Sequence, residues 1–228
     1  MEARLRKEMK YIISREMALE IQKSLEGVLQ QDIYSGVNGE YTIRSQYYDS
    51  LIDRDLQDNL DGLLEKRKIR IRVYDLEGDS AKLEYKCKSG SDGIKKVISI
   101  KRSQAEAIEQ GDFSFLAETN RELDLFLYQK MTQYVYRPKS IIEYERRAYI
   151  YPVSDTRITF DREIRTATTS LGVFSKDLSF VPLMSGDSIV MEVKYNDFLI
   201  EPIKKLVKKH GLLETANSKY SQSRIQMI

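Results

Sequence analysis

The chain has 228 residues, of which 41% are hydrophobic and 32% are charged, and 37 Lys and Arg residues against 35 Asp and Glu residues give a net charge of only +2. This composition is typical of a soluble globular protein, and the small net charge argues against a protein that coats a long nucleic acid. Because Cys87 and His210 are the only residues of their types, the sequence excludes an intrachain disulfide and a Cys/His zinc cluster, and it does not favour a Cys–His catalytic dyad.

The sequence also indicates where the protein acts and how it is divided. No apolar run approaches the roughly 20 residues of a membrane span, and the first residues do not have the pattern of a secretion signal. We therefore expect a cytoplasmic protein without a membrane segment in this chain. The sequence has no linker rich in Gly, Pro and Ser, so we expect a single domain over residues 1–228.

Alternation of polar and apolar residues predicts eight strands. They cover residues 7–13, 41–49, 66–75, 80–88, 94–102, 140–150, 157–161 and 188–195. Helices are predicted from Ser14 to about residue 30 and at residues 49–60, 103–110, about 121–135 and about 200–210. An antiparallel sheet of eight strands tends to curl or close. We therefore expect an α+β fold with a closed eight-stranded antiparallel β-barrel and helices packed outside it.

The charged residues of the predicted strands fall on one face. In the third predicted strand, residues 66–75, Lys68, Arg70 and Arg72 alternate with apolar residues, so the strand has a cationic face and an apolar face. The same alternation pairs Glu8 with Lys10, Arg44 with Gln46, Glu84 with Lys86, Arg157 with Asp161, and Glu192 with Lys194. A solvated outer face of a sheet is the ordinary interpretation of such a pattern.

A second interpretation follows if helices cover the apolar face of a closed sheet. The charged face must then line a wet cavity, because an unpaired charge in a dry core costs several kcal/mol. Arginine forks and lysine ammonium groups together suit a chain of phosphoryl groups. The carboxylates would hold Mg²⁺ or Mn²⁺, with Glu192 the first candidate and Glu8 and Glu84 the next. The alternative role for these carboxylates is charge balance for neighbouring Arg and Lys residues.

Familiar nucleotide and hydrolase motifs are absent from the sequence. It contains no GxxxxGK[ST] loop, no GxGxxG motif after a strand, and neither GxSxG nor HExxH. Phosphoryl transfer remains open, because positioning and charge neutralisation do most of the work in that reaction.

Six short motifs, taken together, resemble one family. In chain order they are "SQYYDS", "RIRVY", "IIEYERRAYIY", "RITFD", "MEVKY" and "SKYSQS". The resemblance extends from about Lys7 to Ser223 and is to the VTC domain, the polyphosphate polymerase domain of the vacuolar transporter chaperone complex and its bacterial relatives. That family belongs to the triphosphate tunnel metalloenzymes, so the resemblance implies an eight-stranded barrel with a basic tunnel. It also implies that a growing polyphosphate chain attacks the γ-phosphoryl group of ATP and releases ADP.

The resemblance assigns roles to residues by motif position. The phosphate-binding residues would be Lys10, Lys68, Arg70, Arg72, Lys86, Arg146, Arg157 and Lys194, with Tyr144 hydrogen-bonding among them. Glu192 would hold the metal, and Ser218 and Lys219 would contact the reacting phosphates. Arg70, Arg72, Arg146 and Lys219 are thus the candidate catalytic residues, and loss of Lys219 should affect the chemistry most. Lys95 or Lys96 would add a further cation, and of the two Lys96 is our candidate substrate-binding residue. The implied partners are ATP, polyphosphate, phosphate and pyrophosphate.

The sequence departs from the family at one position, and alternative functions stay open. The eukaryotic polymerases have another lysine just before the Ser–Lys pair, where this chain has Ala216 and Asn217. A tripolyphosphatase or nucleoside triphosphatase of the same fold is the second hypothesis, and a non-catalytic module that binds polyphosphate or an inositol phosphate is the third. A nucleic-acid partner is not expected, because the charged face offers few aromatic residues for base stacking.

Overall fold

The computed structural model describes residues 7–36, 38–89, 92–119, 121–216 and 218–227. The strands are β1 (Lys7–Ser14), β2 (Gln30–Gln31), β3 (Tyr41–Asp49), β4 (Glu65–Val73), β5 (Ser80–Ser89), β6 (Asp92–Lys101), β7 (Arg137–Tyr151), β8 (Thr156–Ala167), β9 (Val181–Pro182) and β10 (Ser188–Tyr195). The helices are α1 (Arg15–Leu25), α2 (Arg54–Leu60), α3 (Arg102–Glu109), α4 (Ser114–Ala117), α5 (Glu122–Gln133), α6 (Glu201–Lys209) and α7 (Lys219–Gln226), with a 3₁₀ turn at Val153–Asp155.

The strands form one sheet in the order β1-β10-β8-β7-β3-β4-β5-β6, with β2 beside β7 and β9 beside β8. The α+β class and the antiparallel pairing are confirmed, but the prediction of a closed eight-stranded barrel is wrong. Within the described residues the sheet has ten strands, and β1 and β6 each have a single neighbour. The sheet therefore keeps two edge strands. The number of strands favours curling of the sheet, but it does not determine whether the two edge strands pair with each other and close a barrel.

Most predicted elements are present with small shifts in their ends. All eight predicted strands are confirmed, and β8 extends to Ala167, well beyond the predicted end at Asp161. The five predicted helices are confirmed as α1, α2, α3, α5 and α6. The sequence analysis missed the two-residue strands β2 and β9, the single turn α4, and α7.

The chain separates into two compact units, and each unit is made of three segments. Unit 1 comprises Met1–Ile43, Glu143–Arg165 and Pro182–Ser218, and unit 2 comprises Arg44–Ile142, Thr166–Val181 and Lys219–Ile228. The expectation of a single domain over residues 1–228 stays a prediction.

Unit 1 has its own hydrophobic core, in which α1 and α6 contribute residues beside those of the strands. Ser14 caps α1 by accepting a hydrogen bond from the backbone N–H of Met17 at 3.2 Å. The buried residues of α1 include Ile21 and Leu25, one turn apart, and α6 contributes Ile203. As the sequence predicted, α6 ends just before Gly211, whose φ of +57° is the left-handed conformation that glycine adopts readily.

Unit 2 has a second core between its strands and helices. Ile69, Ile71 and Val73 of β4 are buried there beside residues of β5, β6, α3 and α5. The apolar face of β4 therefore packs as the alternation predicted. The charged residues of β4 lie on the opposite face, because successive side chains of a strand point to opposite sides of the sheet.

Candidate functional site

Strand register collects charged residues on one face of unit 2. Tyr47 and Ser45 of β3 lie opposite Arg70 and Arg72 of β4, and Arg70 lies opposite Glu84 of β5. The same face continues through the pairs Lys68 with Lys86 and Lys86 with Lys95. The structure thus brings five predicted site residues, Lys68, Arg70, Arg72, Glu84 and Lys86, onto one surface.

Glu84 lies at the centre of this group and is only 2% exposed. Its Oε2 accepts hydrogen bonds from Nε and Nη2 of Arg70 at 2.7 and 2.6 Å, and its Oε1 accepts one from Nζ of Lys95 at 2.7 Å. Arg72 Nη1 lies 3.7 Å from Oε1. Burial raises the pKa of Glu84, but the charges of Arg70, Arg72 and Lys95 outweigh it and hold that pKa well below its usual range.

We call Arg70, Arg72, Glu84 and Lys95 the Glu84 cluster. Three cations around one carboxylate give the cluster a formal charge of +2. Arg72 is only 7% exposed, so part of this charge is shielded from bulk water and acts over a longer range than a solvated charge. Both oxygens of Glu84 already accept from cations, which is the arrangement of a charge-balancing group. The cluster can therefore attract a polyanion.

Tyr47 is a member of this site that the sequence analysis missed. Its hydroxyl oxygen accepts a hydrogen bond from Nη1 of Arg70 at 2.8 Å, and its ring stacks on Tyr220 of α7 at 5.2 Å. Burial raises the pKa of Tyr47, but the positive charges of Arg70, Arg72 and Lys219 lower it below its ordinary value. Lys219, the first residue of α7, therefore contributes to the positive potential at the same place.

Two predicted positions are corrected by the register. Lys96 lies opposite Tyr85, on the face away from Glu84 and Lys86, and Lys95 is the lysine of the pair that lies on the charged face. Arg44 and Gln46 are not on the charged face either, since Ser45 and Tyr47 face Arg72 and Arg70. Arg44 instead donates hydrogen bonds to the carbonyl oxygens of residues 173 and 175 at 3.1 and 2.5 Å.

Lys95 should make anion binding to the cluster depend on pH. Desolvation lowers the pKa of Lys95 to about 8, and Glu84 only partly opposes this effect. The ammonium charge is therefore present below that pH and lost as the pH rises through it. We expect the affinity for tripolyphosphate, measured by calorimetry, to fall about tenfold between pH 7 and pH 9 in the wild type. Lys95→Arg stays charged over this range and should show a much smaller fall, and an equal fall in this variant would contradict the assignment.

Unit 1 has a charged face of a different composition. The registers of β1, β10 and β8 place Lys10 opposite Glu192, Glu192 opposite Thr159, and Lys194 opposite both Glu8 and Arg157. Lys10 Nζ lies 3.0 Å from Glu8 Oε1, and Lys194 Nζ lies 2.9 Å from Glu192 Oε1. Lys194 Nζ also lies 3.9 Å from Glu8 Oε2, so this lysine is close to both carboxylates. We call Glu8, Lys10, Glu192 and Lys194 the Glu192 cluster, and its formal charge is zero.

Burial and charge act against each other at the Glu192 cluster. Burial raises the pKa of Glu192, but the charges of Lys194 and Lys10 outweigh it and lower that pKa well below its usual range. Burial also lowers the pKa of Lys194, and the carboxylates of Glu192 and Glu8 offset only part of this effect. Glu192 is therefore an ionised carboxylate at neutral pH.

The two predicted phosphate-binding arginines of unit 1 each pair with an aspartate. Arg146 donates hydrogen bonds from Nε and Nη2 to the two carboxylate oxygens of Asp161 at 2.6 and 2.8 Å. Arg157 donates from Nη2 to Asp32 Oδ2 at 2.5 Å and to the Tyr41 hydroxyl at 3.0 Å. The role of Asp32 was not visible in the sequence, because 125 residues separate it from Arg157.

Two further predicted residues, Tyr144 and Ser218, belong to unit 1. Tyr144 is buried, and the guanidinium of Arg146 lies 5.2 Å from the centre of its ring. Ser218 is half-buried at the end of the unit 1 segment 182–218. Asn217, which replaces the family's additional lysine, lies outside the described residues.

The donor set at Glu192 fits a hard divalent cation. Glu8 and Glu192 supply carboxylate oxygens, and the Oγ1 atom of Thr159, opposite Glu192, is buried without a hydrogen-bond partner among the described residues. Mg²⁺ often takes only one or two carboxylates and completes its shell with water and phosphate oxygens. In the described part of the chain, no group of three or more His, Cys, Asp or Glu side chains is placed to hold a metal. An ion here would rely on Glu8, Glu192 and the oxygens of a substrate.

Comparison with known proteins identifies the family. The model of the VTC domain matches residues 5–228, nearly the whole chain. The chain belongs to the VTC domain family. No curated protein matched this VTC domain. A helix long and apolar enough to cross a membrane is not found in the part of the VTC domain that the structure describes.

Solved structures are similar to this VTC domain at low sequence identity. A Bacillus halodurans protein provisionally described as an adenylate cyclase is 12% identical, with a TM-score of 0.58 over 100% of this chain and 99% of its own. The PH1819 protein from Pyrococcus horikoshii OT3 is also 12% identical, with a TM-score of 0.49 over 98% and 99% of the two chains. The likeness to the Bacillus protein shows a common fold for the VTC domain.

Proposed function

We propose that this VTC domain is a polyphosphate polymerase that transfers the γ-phosphoryl group of ATP to the end of a growing polyphosphate chain. The observation that carries the proposal is the Glu84 cluster, where Arg70, Arg72 and Lys95 surround a single buried carboxylate. A formal charge of +2 at a partly desolvated site suits the phosphoryl groups of ATP and polyphosphate. Membership of the VTC family supports a substrate that contains a phosphate chain.

The reaction needs charge neutralisation more than proton transfer. An oxygen of the terminal phosphate of the acceptor chain forms a bond to the γ-phosphorus, and the bond from that phosphorus to the β,γ-bridging oxygen breaks, so that ADP leaves. The acceptor oxygen is already ionised at neutral pH, so the step needs no histidine base. In our proposal the Arg70 and Arg72 guanidiniums hold the phosphoryl oxygens, and Lys219 neutralises charge at the reacting phosphate.

Unit 1 has charged groups of its own that suit phosphate. In our proposal Lys10, Lys194, Arg146 and Arg157 bind phosphate, with Asp161 and Asp32 orienting the two arginines. Glu192 and Glu8 would hold Mg²⁺ or Mn²⁺. When bound, such an ion neutralises charge on phosphate oxygens.

Product analysis tests the proposal directly. The protein is incubated with ATP and Mn²⁺ or Mg²⁺, and the products are resolved on a polyacrylamide gel stained for polyphosphate. A ladder of long chains with release of ADP supports the polymerase. Orthophosphate or pyrophosphate without polymer would identify a triphosphatase instead. Binding of polyphosphate by calorimetry, with no turnover under either condition, would identify a binding module.

Removing the Glu192 charge should weaken metal binding. We expect Glu192→Gln to raise the Kd for Mn²⁺ by about tenfold or more, because a carboxylate ligand becomes a neutral amide. The free Mn²⁺ signal in electron paramagnetic resonance measures this binding in the presence and absence of tripolyphosphate. Glu201→Gln changes an exposed carboxylate of α6 and serves as the control. Unchanged Mn²⁺ binding by Glu192→Gln would assign Glu192 to charge balance.

A further inference from the structure

Helix α7 begins at Lys219 and is attached to unit 2 by polar contacts. Its buried residues are Tyr220, Ser221 and Ser223, so the Tyr220 ring supplies its apolar burial and hydrogen bonds supply its other described contacts. The hydroxyl of Tyr220 donates a hydrogen bond to Oδ2 of Asp49 at 2.8 Å. The position of Lys219 is therefore set by the contacts of the residues that follow it.

Asp49 is a buried carboxylate with several donors around it. Its Oδ1 accepts from the backbone N–H groups of Ser50 and Asp55 at 2.7 and 2.9 Å, and its Oδ2 accepts from the N–H of Leu56 at 2.8 Å as well as from Tyr220. The N–H groups of Asp55 and Leu56 belong to the first turn of α2, where backbone N–H groups have no hydrogen-bond partner within the helix. Asp49 thus links the end of β3, the start of α2 and α7.

A second carboxylate holds α7 one turn further along the helix. Arg224 donates hydrogen bonds from Nη1 and Nη2 to the two oxygens of Asp53 at 2.6 and 2.9 Å. Asp53 precedes α2 in a left-handed conformation, with φ of +57°, and makes no capping hydrogen bond to the helix. Its side chain therefore pairs with α7 instead of capping α2.

The ring of Tyr220 also contacts the Glu84 cluster through Tyr47. The two rings are stacked at 5.2 Å with an angle of 15° between their planes, and Tyr47 accepts the hydrogen bond from Arg70. The contacts are continuous from Asp49 through Tyr220 and Tyr47 to Arg70. Lys219 is covalently joined to Tyr220, so a shift of this ring moves Lys219 relative to the cations of the cluster.

We propose that Tyr220 and Asp49 are positioning residues that hold Lys219 beside the Glu84 cluster, with the pair of Arg224 and Asp53 fixing the rest of α7. The inference rests on the proposed function in one respect, since it takes Lys219 as a residue that contacts substrate phosphate. It goes beyond that function because it assigns an action to residues that touch no phosphate themselves. Tyr220 acts through the place that it gives to Lys219.

A double-mutant cycle in tripolyphosphate binding tests this inference without requiring turnover. The variants are Tyr220→Phe, which keeps the stacked ring and removes the hydrogen bond to Asp49, Lys219→Ala, and the double variant. We expect Tyr220→Phe to weaken tripolyphosphate binding by about five- to tenfold and to have no further effect when Lys219 is already alanine, because residues of one network couple strongly. If the affinity of the double variant for tripolyphosphate falls by the product of the two single-variant factors, the inference is overturned.

A matched control separates positioning from general loosening of α7. Ser223 is also buried on this helix and donates a hydrogen bond to Ser140 Oγ at 2.9 Å. Ser223→Ala should lower the melting temperature about as much as Tyr220→Phe and leave tripolyphosphate affinity within twofold of the wild type. Equal losses of affinity in the two variants would mean that Tyr220 only stabilises the helix. If the wild type binds no tripolyphosphate, the proposed function itself fails, and this outcome is distinct from a multiplicative cycle.

Discussion

Replacing Lys219 by alanine is expected to lower the kcat of polymer formation by about 100- to 1,000-fold, the usual cost of removing one group that stabilises transition-state charge. Lys219 contributes, with Arg70 and Arg72, to the positive potential that lowers the pKa of Tyr47. In the proposed reaction Lys219 neutralises charge at the reacting phosphate, and this charge loses its partner in the variant. Steady-state release of ADP in the presence of polyphosphate measures the effect.

The control for Lys219→Ala is the same substitution at a lysine outside the two clusters. Lys205 of α6 is exposed, and Lys205→Ala should change kcat by less than twofold. The fall in kcat for Lys219→Ala should exceed any change in KM for ATP, because the interaction strengthens in the transition state. A variant with normal kcat and a raised KM would show that Lys219 only binds the ground state.

Replacing Arg72 by alanine is expected to weaken tripolyphosphate binding by about 10- to 100-fold with little loss of stability. A charge-assisted hydrogen bond to phosphate is worth about 1.5–3 kcal/mol. Glu84 keeps its contacts with Arg70 and Lys95 in this variant, so the buried carboxylate is not left without a cation. Calorimetry measures the affinity, and thermal denaturation measures the stability of the same sample.

Two further variants show whether the effect of Arg72→Ala comes from local charge. Arg15→Ala removes an exposed arginine of α1 and should leave tripolyphosphate affinity unchanged. Glu84→Gln raises the formal charge of the Glu84 cluster by one and should tighten tripolyphosphate binding. A large stability loss with normal affinity in Arg72→Ala would mean that Arg72 is a structural partner of Glu84 and does not bind phosphate.

The sequence predicted the charged face of β4 correctly because the two faces of that strand differ in character. Ile69 and Ile71 are buried in a hydrophobic core, whereas Arg70 and Arg72 are on the side of Glu84. The alternation is a direct consequence of strand geometry, so one sequence was enough. The same argument placed Glu8, Lys10, Glu192 and Lys194 on one face of unit 1.

The prediction that Arg44 and Gln46 lie on the charged face of β3 was wrong because that strand is buried on both sides. Every residue from Ile43 to Asp49 is buried, so no contrast between polar and apolar positions marks the inner face. Arg44 satisfies its guanidinium with backbone carbonyls about 130 residues further along the chain, a pairing that local sequence cannot show. Lys95 and Lys96 raised a similar difficulty, because two adjacent lysines always occupy opposite faces and only pairing with β5 decides between them.

Helix α7 was missed because its attachment is polar. Periodic apolar residues are the main sign of a helix in a sequence, and the buried residues of α7 are a tyrosine and two serines. Its anchors, Asp49 and Asp53, are contributed by a segment more than 160 residues earlier. The motif "SKYSQS" therefore indicated a site without indicating the helix that presents it.

The open end of the sheet at β6 has a consequence for the solution behaviour of the protein. In the described residues β6 pairs only with β5, and Ile94 and Val97 of this strand are 51% and 44% exposed. An edge strand with exposed apolar side chains is a template for adding a strand from another molecule, and edge lysines discourage this by charge repulsion. Lys95 and Lys96 would then serve colloidal stability in addition to any part in anion binding. We expect that neutralising both together, as Lys95→Thr with Lys96→Thr, makes the folded protein self-associate, with light scattering that increases with concentration.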